Sequence, residues 1–373
     1  MTELSLRALN RTLLVRQMLA ERSPIGPLEL VRHVVAVQGQ EPNWPYVGLW
    51  SRLADFDHDE LATLLRERKL VRSTMIRRTV HLATAQDFRW LRPTVRPIVH
   101  AALRAPYFRD EIDGIDHDEL AAVGREILAG KTLSRSDFGK LLAERFPDRL
   151  PRRLAESVEM LVPMAHGPET GEWGRWRNRY VTMSLADEWI GDPMGTEPDP
   201  EQLILRYLAA YGPATVADMQ AWAGVTRLAE VIDDMRDRLR VFTDDKHKVL
   251  FDVQDAPLAD PDLPVPVRFL PAFDNALLGH KDRRRMISEE DRARTAAEAS
   301  AGVPVYLVDG FVHGRWALDG ATVRVIPWHP LTPGDEEAVR AEAASLLGFV
   351  APGEEGKVVV TDHSGGAATV TEI

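Results

Sequence analysis

Three times along the chain a run of short amphipathic helices leads into two alternating segments rich in β-branched and aromatic residues, and few architectures accept that order repeatedly. The first run begins with a helix over residues 6–21 that places Leu9, Leu13, Leu14, Met18 and Leu19 on one side and ends at Ser23-Pro24-Ile25-Gly26-Pro27. A second helix carries Leu30, Val31, Val34, Val35 and Val37 as a buried stripe up to Gly39. Helices over 46–53 and 58–69 follow, then a hairpin over 71–75 and 79–83. The second run has helices over 119–128, 134–145 and 152–161, with Ser134 as an N-cap, and a hairpin from Trp173-Gly174-Arg175-Trp176 and residues 179–183. The third has helices over 202–211, 215–223 and 228–239, then strands over 241–243 and 249–253 around a charged turn. Helices closed by a hairpin make a winged helix, repeated here in structure with little residue identity.

A proline-rich acidic linker over 255–266 marks a boundary. Beyond it, strands are expected over 267–271, 303–308, 310–318 and 321–327, with Asp309-Gly310 and Asp319-Gly320 as turns, a helix over 335–347, and a loosely specified tail from Gly353 through Gly365-Gly366 covering an edge. The expected class is α+β. Tandem winged-helix motifs occupy 1–115, 116–195 and 196–254, and a small mixed, mostly antiparallel β domain occupies 255–373.

The segment Gln38-Gly39-Gln40-Glu41-Pro42-Asn43-Trp44-Pro45-Tyr46 stands apart from this scaffold. Residues two apart on a helix point about 200° apart, so Gln38 and Gln40 share a target only if the helix ends between them, and Gly39 supplies that stop. A primary amide offers an acceptor and two donors and does not titrate, so two side by side can hold a water at any pH. From spacing alone the alternative is that Gln38 caps the helix end while Gln40 lies in solvent.

That segment, together with Arg78-Thr79-Val80-His81-Leu82, Leu270-Pro271-Ala272-Phe273-Asp274-Asn275 and Gly279-His280-Lys281-Asp282-Arg283, resembles the AlkZ and YcaQ family of bacterial DNA glycosylases, over nearly the whole chain. The resemblance implies tandem winged helices and removal of N7-alkylated purines, including one side of an interstrand cross-link. It also implies self-resistance in producers of DNA-alkylating natural products, and a catalytic Gln-x-Gln pair at Gln38 and Gln40. The middle residue is often aliphatic in that family, and Gly39 departs from it.

Composition sets limits. A chain of 373 residues with 45% hydrophobic content and no cysteine is globular and has no cysteine-ligated metal site. The histidines show no ligand spacing, so neither metal nor cofactor is expected. No leader or membrane span is evident at the sequence level, which makes the cytoplasm the default. The net charge of −11 runs against DNA binding, where phosphate contacts want a basic face. Basic residues nonetheless gather at 66–78, 149–153, 175–179 and 281–285, away from the acidic loops, and such segregation permits a positive groove.

The expected DNA contacts are Arg77, Arg78 and His81 beside the first hairpin, Lys281, Arg283 and Arg284 in the basic cluster, and Trp44 for stacking. Alternation along the strand would bury Val80 and Leu82 and turn His81 outward. Each has a structural alternative: a structural ion pair or an exposed wing for the hairpin residues, an ion-paired cluster with Asp274 or Glu289 for the basic run, and turn packing for Trp44 and Tyr46. Lys69, Lys131, Lys140, Lys246, Lys248 and Lys357 sit in ordinary contexts, and Lys281 suits a phosphate contact better than a lyase nucleophile. The function expected is a monomeric, monofunctional glycosylase acting on double-stranded DNA that carries alkylated purines. The rival is a non-catalytic winged-helix DNA-binding protein, a regulator or damage binder. Glu230, Asp233, Asp234 and Asp237 make the last helix a poor reader of the major groove.

Overall fold

The computed structural model describes residues 2–176, 180–298, 302–362 and 368–373, and among them the strands form three sheets flanked by helices, an α+β arrangement. The first hairpin forms as expected from Leu70–Thr74 and Val80–Thr84. It belongs to a six-stranded sheet that also takes Val37–Gln38, Met164–His166, Thr182–Leu185 and Leu133–Ser134. The first and second runs thus share one sheet, joined at Arg72 opposite His166.

The middle hairpin uses Met164–His166 in place of the expected Trp173–Trp176 segment. Met164, Ala165 and His166 are all buried, so the strand has no polar alternation to betray it, while Trp173 and Trp176 are drawn into an aromatic cluster with Trp44 and Tyr46. Arg179, placed in that hairpin from the sequence, lies outside the described residues.

In the third run, strands Leu239–Asp244 and Val249–Val253 pair as expected, and Thr2–Leu4 adds a parallel strand to them. The C-terminal sheet runs Arg268–Leu270, Val305–Val308, Phe311–Asp319, Thr322–Pro327, Lys357–Thr361, Ala368–Glu372, antiparallel except where Thr322–Pro327 meets Lys357–Thr361. Helix Pro333–Val350 is the crossover that this parallel pair requires, burying Val339, Ala343, Leu346, Leu347 and Val350. The tail is therefore two strands of the sheet and not a loose cover; Gly365 and Gly366 lie outside the described residues.

Two cores meet at the candidate segment. One joins Leu30, Val34, Tyr46 and Leu49 to Phe269, Trp316 and Leu346 of the C-terminal sheet and its crossover helix. The other contains Val35 and Ala36 and runs through the second and third runs. Residues 34–40 thread between them. No helix among the described residues is long and apolar enough to cross a membrane.

Candidate active site

Helix Pro27–His33 ends at His33, well before Gly39, because Val35 takes a left-handed backbone conformation with φ of 71°. For a β-branched residue this is strained, at a cost on the order of 1–3 kcal/mol, and persists only when the surroundings over-determine it. They do: the Tyr211 hydroxyl donates to the Val34 carbonyl at 3.1 Å, and the Asn275 amide donates to that of Ala36. The chain then continues as a strand. Gln38 lies opposite His81 in antiparallel register, and the Gly39 N–H donates to the Val80 carbonyl at 2.8 Å.

Gly39 is thus not the helix stop, and it is absent from the residues with positive φ. A Cβ there would meet Pro45 Cγ at 3.5 Å and Leu82 Cγ at 3.7 Å, ordinary contacts. Gly39→Ala is expected to be tolerated and to raise stability by about 0.4–1 kcal/mol through a less flexible unfolded chain. A lowered urea midpoint would contradict that account of the turn.

The two amides line adjoining spaces that meet at Phe273. Gln38 is 7% exposed; its Oε1 accepts from the Gln40 backbone N–H at 3.4 Å, a long contact. Gln40 is exposed, and its Oε1 accepts from the Val80 N–H at 3.2 Å. Both oxygens are therefore oriented by main-chain donors, and each keeps a second lone pair. Gln38 lines a small pocket of about 20 Å³, room for about one water, with Gln17, Arg52, Asp274 and Asn275. Gln40 lines a wide open groove with Trp44, Trp176 and Trp316, and Phe273, with φ of 62°, borders both spaces. Within the cavity wall, Arg52 holds Asp274 through two bonds of 2.9 and 2.8 Å.

Behind the turn lies a buried charge network. Arg72 donates to the Gly39 carbonyl at 3.1 Å and to His166 Nδ1 at 3.0 Å; His166 Nε2 meets Glu159 at 2.9 Å. Thr74 and Arg135 complete the carboxylate's shell at 2.6 and 3.2 Å. The guanidinium can only donate, so His166 Nδ1 must accept and its proton sits on Nε2, facing Glu159. Burial depresses the His166 pKa and keeps the ring neutral, while His166, Arg135 and Thr74 overcome burial and hold the Glu159 carboxyl well below its usual range. A fixed network thus clamps the carbonyl between the two glutamines, although Arg72 Nε and Arg135 Nε are buried within it without a hydrogen-bond partner among the described residues.

The other expected site residues divide. His81, expected to face outward, is buried: it faces the Gln38 side of the sheet, its Nδ1 bonds the Thr79 carbonyl at 2.9 Å, and burial pushes its pKa down to about 3. Period-two alternation fails here because both faces of the strand are covered, Val80 through Thr84 all being buried. Arg77 is also turned inward, donating to the Trp222 carbonyl at 2.7 Å, with its pKa lowered to about 10 by burial. Arg78 and Lys281 are exposed. Arg284 is tied to Asp282 at 3.0 Å and Asp245 at 3.6 Å, and Arg283 is half-buried. Asp274 pairs with Arg52 and not with the basic cluster. Trp44 stands edge to face with Trp176 at 5.1 Å and with Trp316 at 5.8 Å. Sequence reasoning missed Arg72 and Arg52; Arg72 sits inside the basic run at 66–78 but carries no local mark of its burial. Among the described residues no group of three or more His, Asp or Glu side chains is placed to hold a metal.

A family model described as "DNA glycosylase AlkZ-like" matches residues 31–349. The chain is 25% identical over 361 residues to an interstrand DNA cross-link repair glycosylase of Streptomyces sahachiroi, covering 89% of this chain and 92% of that protein. It also superposes on the solved structure of the Streptomyces sahachiroi DNA glycosylase AlkZ with a TM-score of 0.81 and 22% identity, covering 96% of this chain and all of that one.

Proposed function

The chain belongs to the AlkZ-like DNA glycosylase family, and from that premise we propose that it is a monofunctional enzyme hydrolysing the N-glycosidic bond of N7-alkylated purines in double-stranded DNA, bulky adducts and interstrand cross-links among them. The observation that carries the site assignment is the pair of amides at Gln38 and Gln40, each oxygen oriented by a backbone N–H where a small pocket adjoins an open groove.

An N7-alkylated purine is cationic and leaves as a neutral base, so little general acid is needed. The demand is for a water placed at C1′ and for stabilisation of the positive charge that develops on the sugar. The free lone pairs of Gln38 and Gln40 accept the water's protons and turn its own lone pair toward C1′. The C1′–N9 bond breaks as the C1′–O bond forms, the bonding pair stays on the purine, and one proton passes to solvent. Amides are weak bases, so unmodified purines, poor leaving groups, stay intact.

The helix-and-hairpin units are read as winged helices, with the exposed Arg78 and Lys281 and the half-buried Arg283 and Arg284 contacting phosphates; Arg77 and His81 support the site from within. The test is single-turnover release of base from duplex DNA containing N7-methylguanine. Release of methylated but not unmodified guanine is the expected result. Tight DNA binding with no release would give the non-catalytic reading instead.

A further inference from the structure

Gln17, Gln38 and Asn275 come from distant parts of the chain to line the small pocket, and their amides are incompletely matched there. Gln17, at the C-terminal cap of the first helix, Leu6–Arg16, donates from Nε2 to the Ala210 carbonyl at 2.7 Å. Asn275 donates from Nδ2 to the Ala36 carbonyl. These bonds fix both amides and so set the direction of their oxygens. Gln17 Oε1 and Asn275 Oδ1 are nonetheless buried without a hydrogen-bond partner among the described residues. Gln38 has the opposite deficit: its Oε1 accepts from the Gln40 N–H, while its Nε2 donates to no described residue.

Two acceptors and one donor thus belong to the walls of a space of about 20 Å³, which is room for about one water. Buried carbonyl oxygens are costly to leave unmatched, so the polar walls call for an occupant. Their chemistry selects it. A cation would meet the Gln38 N–H and the Arg52 guanidinium, and an anion would meet two carbonyl oxygens. A water donates to both oxygens and accepts from Gln38 at the same time.

We propose that this pocket holds one structural water, and that Gln17 and Asn275 act through it as positioning residues that set which way the Gln38 amide faces. The proposal rests on the glycosylase reading above. The two ends of a primary amide are nearly equal in size and opposite in hydrogen-bonding sense. A single bond of 3.4 Å is too long to hold Gln38 against a half-turn. A flipped Gln38 would turn N–H groups on the attacking water and engage the lone pair that must reach C1′. The pocket water keeps Nε2 on its own side, which leaves Oε1 to the attacking water, a second molecule.

A crystal structure of the whole chain at a resolution that orders water tests this directly. One water within hydrogen-bond distance of Gln17 Oε1, Asn275 Oδ1 and Gln38 Nε2 is the expected result. A dry pocket, or a water that does not reach Gln38, overturns the proposal. Kinetics supply the second arm. Gln17→Met, close in volume but without the amide oxygen, should slow single-turnover release of N7-methylguanine about tenfold and leave duplex affinity unchanged. In a Gln38→Ala background the same change should alter the rate by less than about twofold, because its effect passes through Gln38. A Gln17→Met rate equal to that of the wild type, or an equal loss in both backgrounds, overturns the positioning role. Urea midpoints of the variants ensure that rates are compared on folded protein. A wild type that binds duplex DNA and releases no base overturns the glycosylase reading and the positioning role together, and the crystal structure then decides the water alone.

Discussion

Replacing Gln38 with alanine is expected to slow base release from N7-methylguanine DNA by roughly 10²–10³-fold, the scale seen when one preorganised polar group is removed from a reacting centre. The side chain is small in the structural economy of the fold. It accepts one long bond from the Gln40 N–H, and losing one such bond costs about 1 kcal/mol. The variant therefore folds, and its DNA affinity should stay within about twofold because Gln38 is buried. Gln40→Ala should also lose activity with still less effect on stability, since Gln40 is exposed. Single-turnover rates alongside duplex affinity decide the matter. A Gln38→Ala enzyme that retains its rate within threefold would remove the amide pair from the mechanism.

The glutamine pair was legible in the sequence; the reason for its geometry was not. The apolar stripe Leu30, Val31, Val34, Val35, Val37 reads as one helix to Gly39, and the structure ends that helix at His33. Nothing in a valine announces a left-handed backbone, because the conformation at Val35 is imposed by Tyr211 and Asn275 from far along the chain. The strands around Phe311–Asp319 were readable because turn residues and alternation set them locally, and the first hairpin was readable from its short runs rich in Val and Thr although both of its strands are buried throughout. Thr2–Leu4 was not, since three residues completing a distant sheet have no period. Lys357–Thr361, with Val358, Val359 and Val360 in a row, did carry a strand signal that the surrounding glycines obscured. The Arg72, His166 and Glu159 network joins residues up to 94 apart in sequence. Pairing of buried charges at such separations has no local signature, so the support of the site is invisible where the site itself is not.

Acid should destabilise this protein well above the range in which carboxylates titrate. His81, His166 and His280 are fully buried and neutral in the fold; burial, the largest cause in each, lowers His81 and His280 to about 3 and lowers His166 as well. In the unfolded chain each reverts to an ordinary value near 6.5. Below that pH the unfolded chain takes up a proton at each site and the folded chain does not, so stability is whole above about pH 6.5 and is lost progressively toward pH 3. His81 and His280 each contribute about 1.4 kcal/mol per pH unit in that window, so the two remove about 3 kcal/mol between pH 7.5 and 5.5, and His166 adds to the loss in the same direction. The depressed Glu159 carboxyl adds its own loss only below about 4.5. Urea midpoints measured at pH 7.5 and 5.5 test this, and an unchanged or higher midpoint at 5.5 contradicts it. Because the folded chain does not take up that proton, His166 goes on accepting from Arg72, the residue that holds the Gly39 carbonyl. Base release per folded molecule should therefore hold through that window, and activity should fall only as the folded fraction falls, since the two amides that place the water do not titrate.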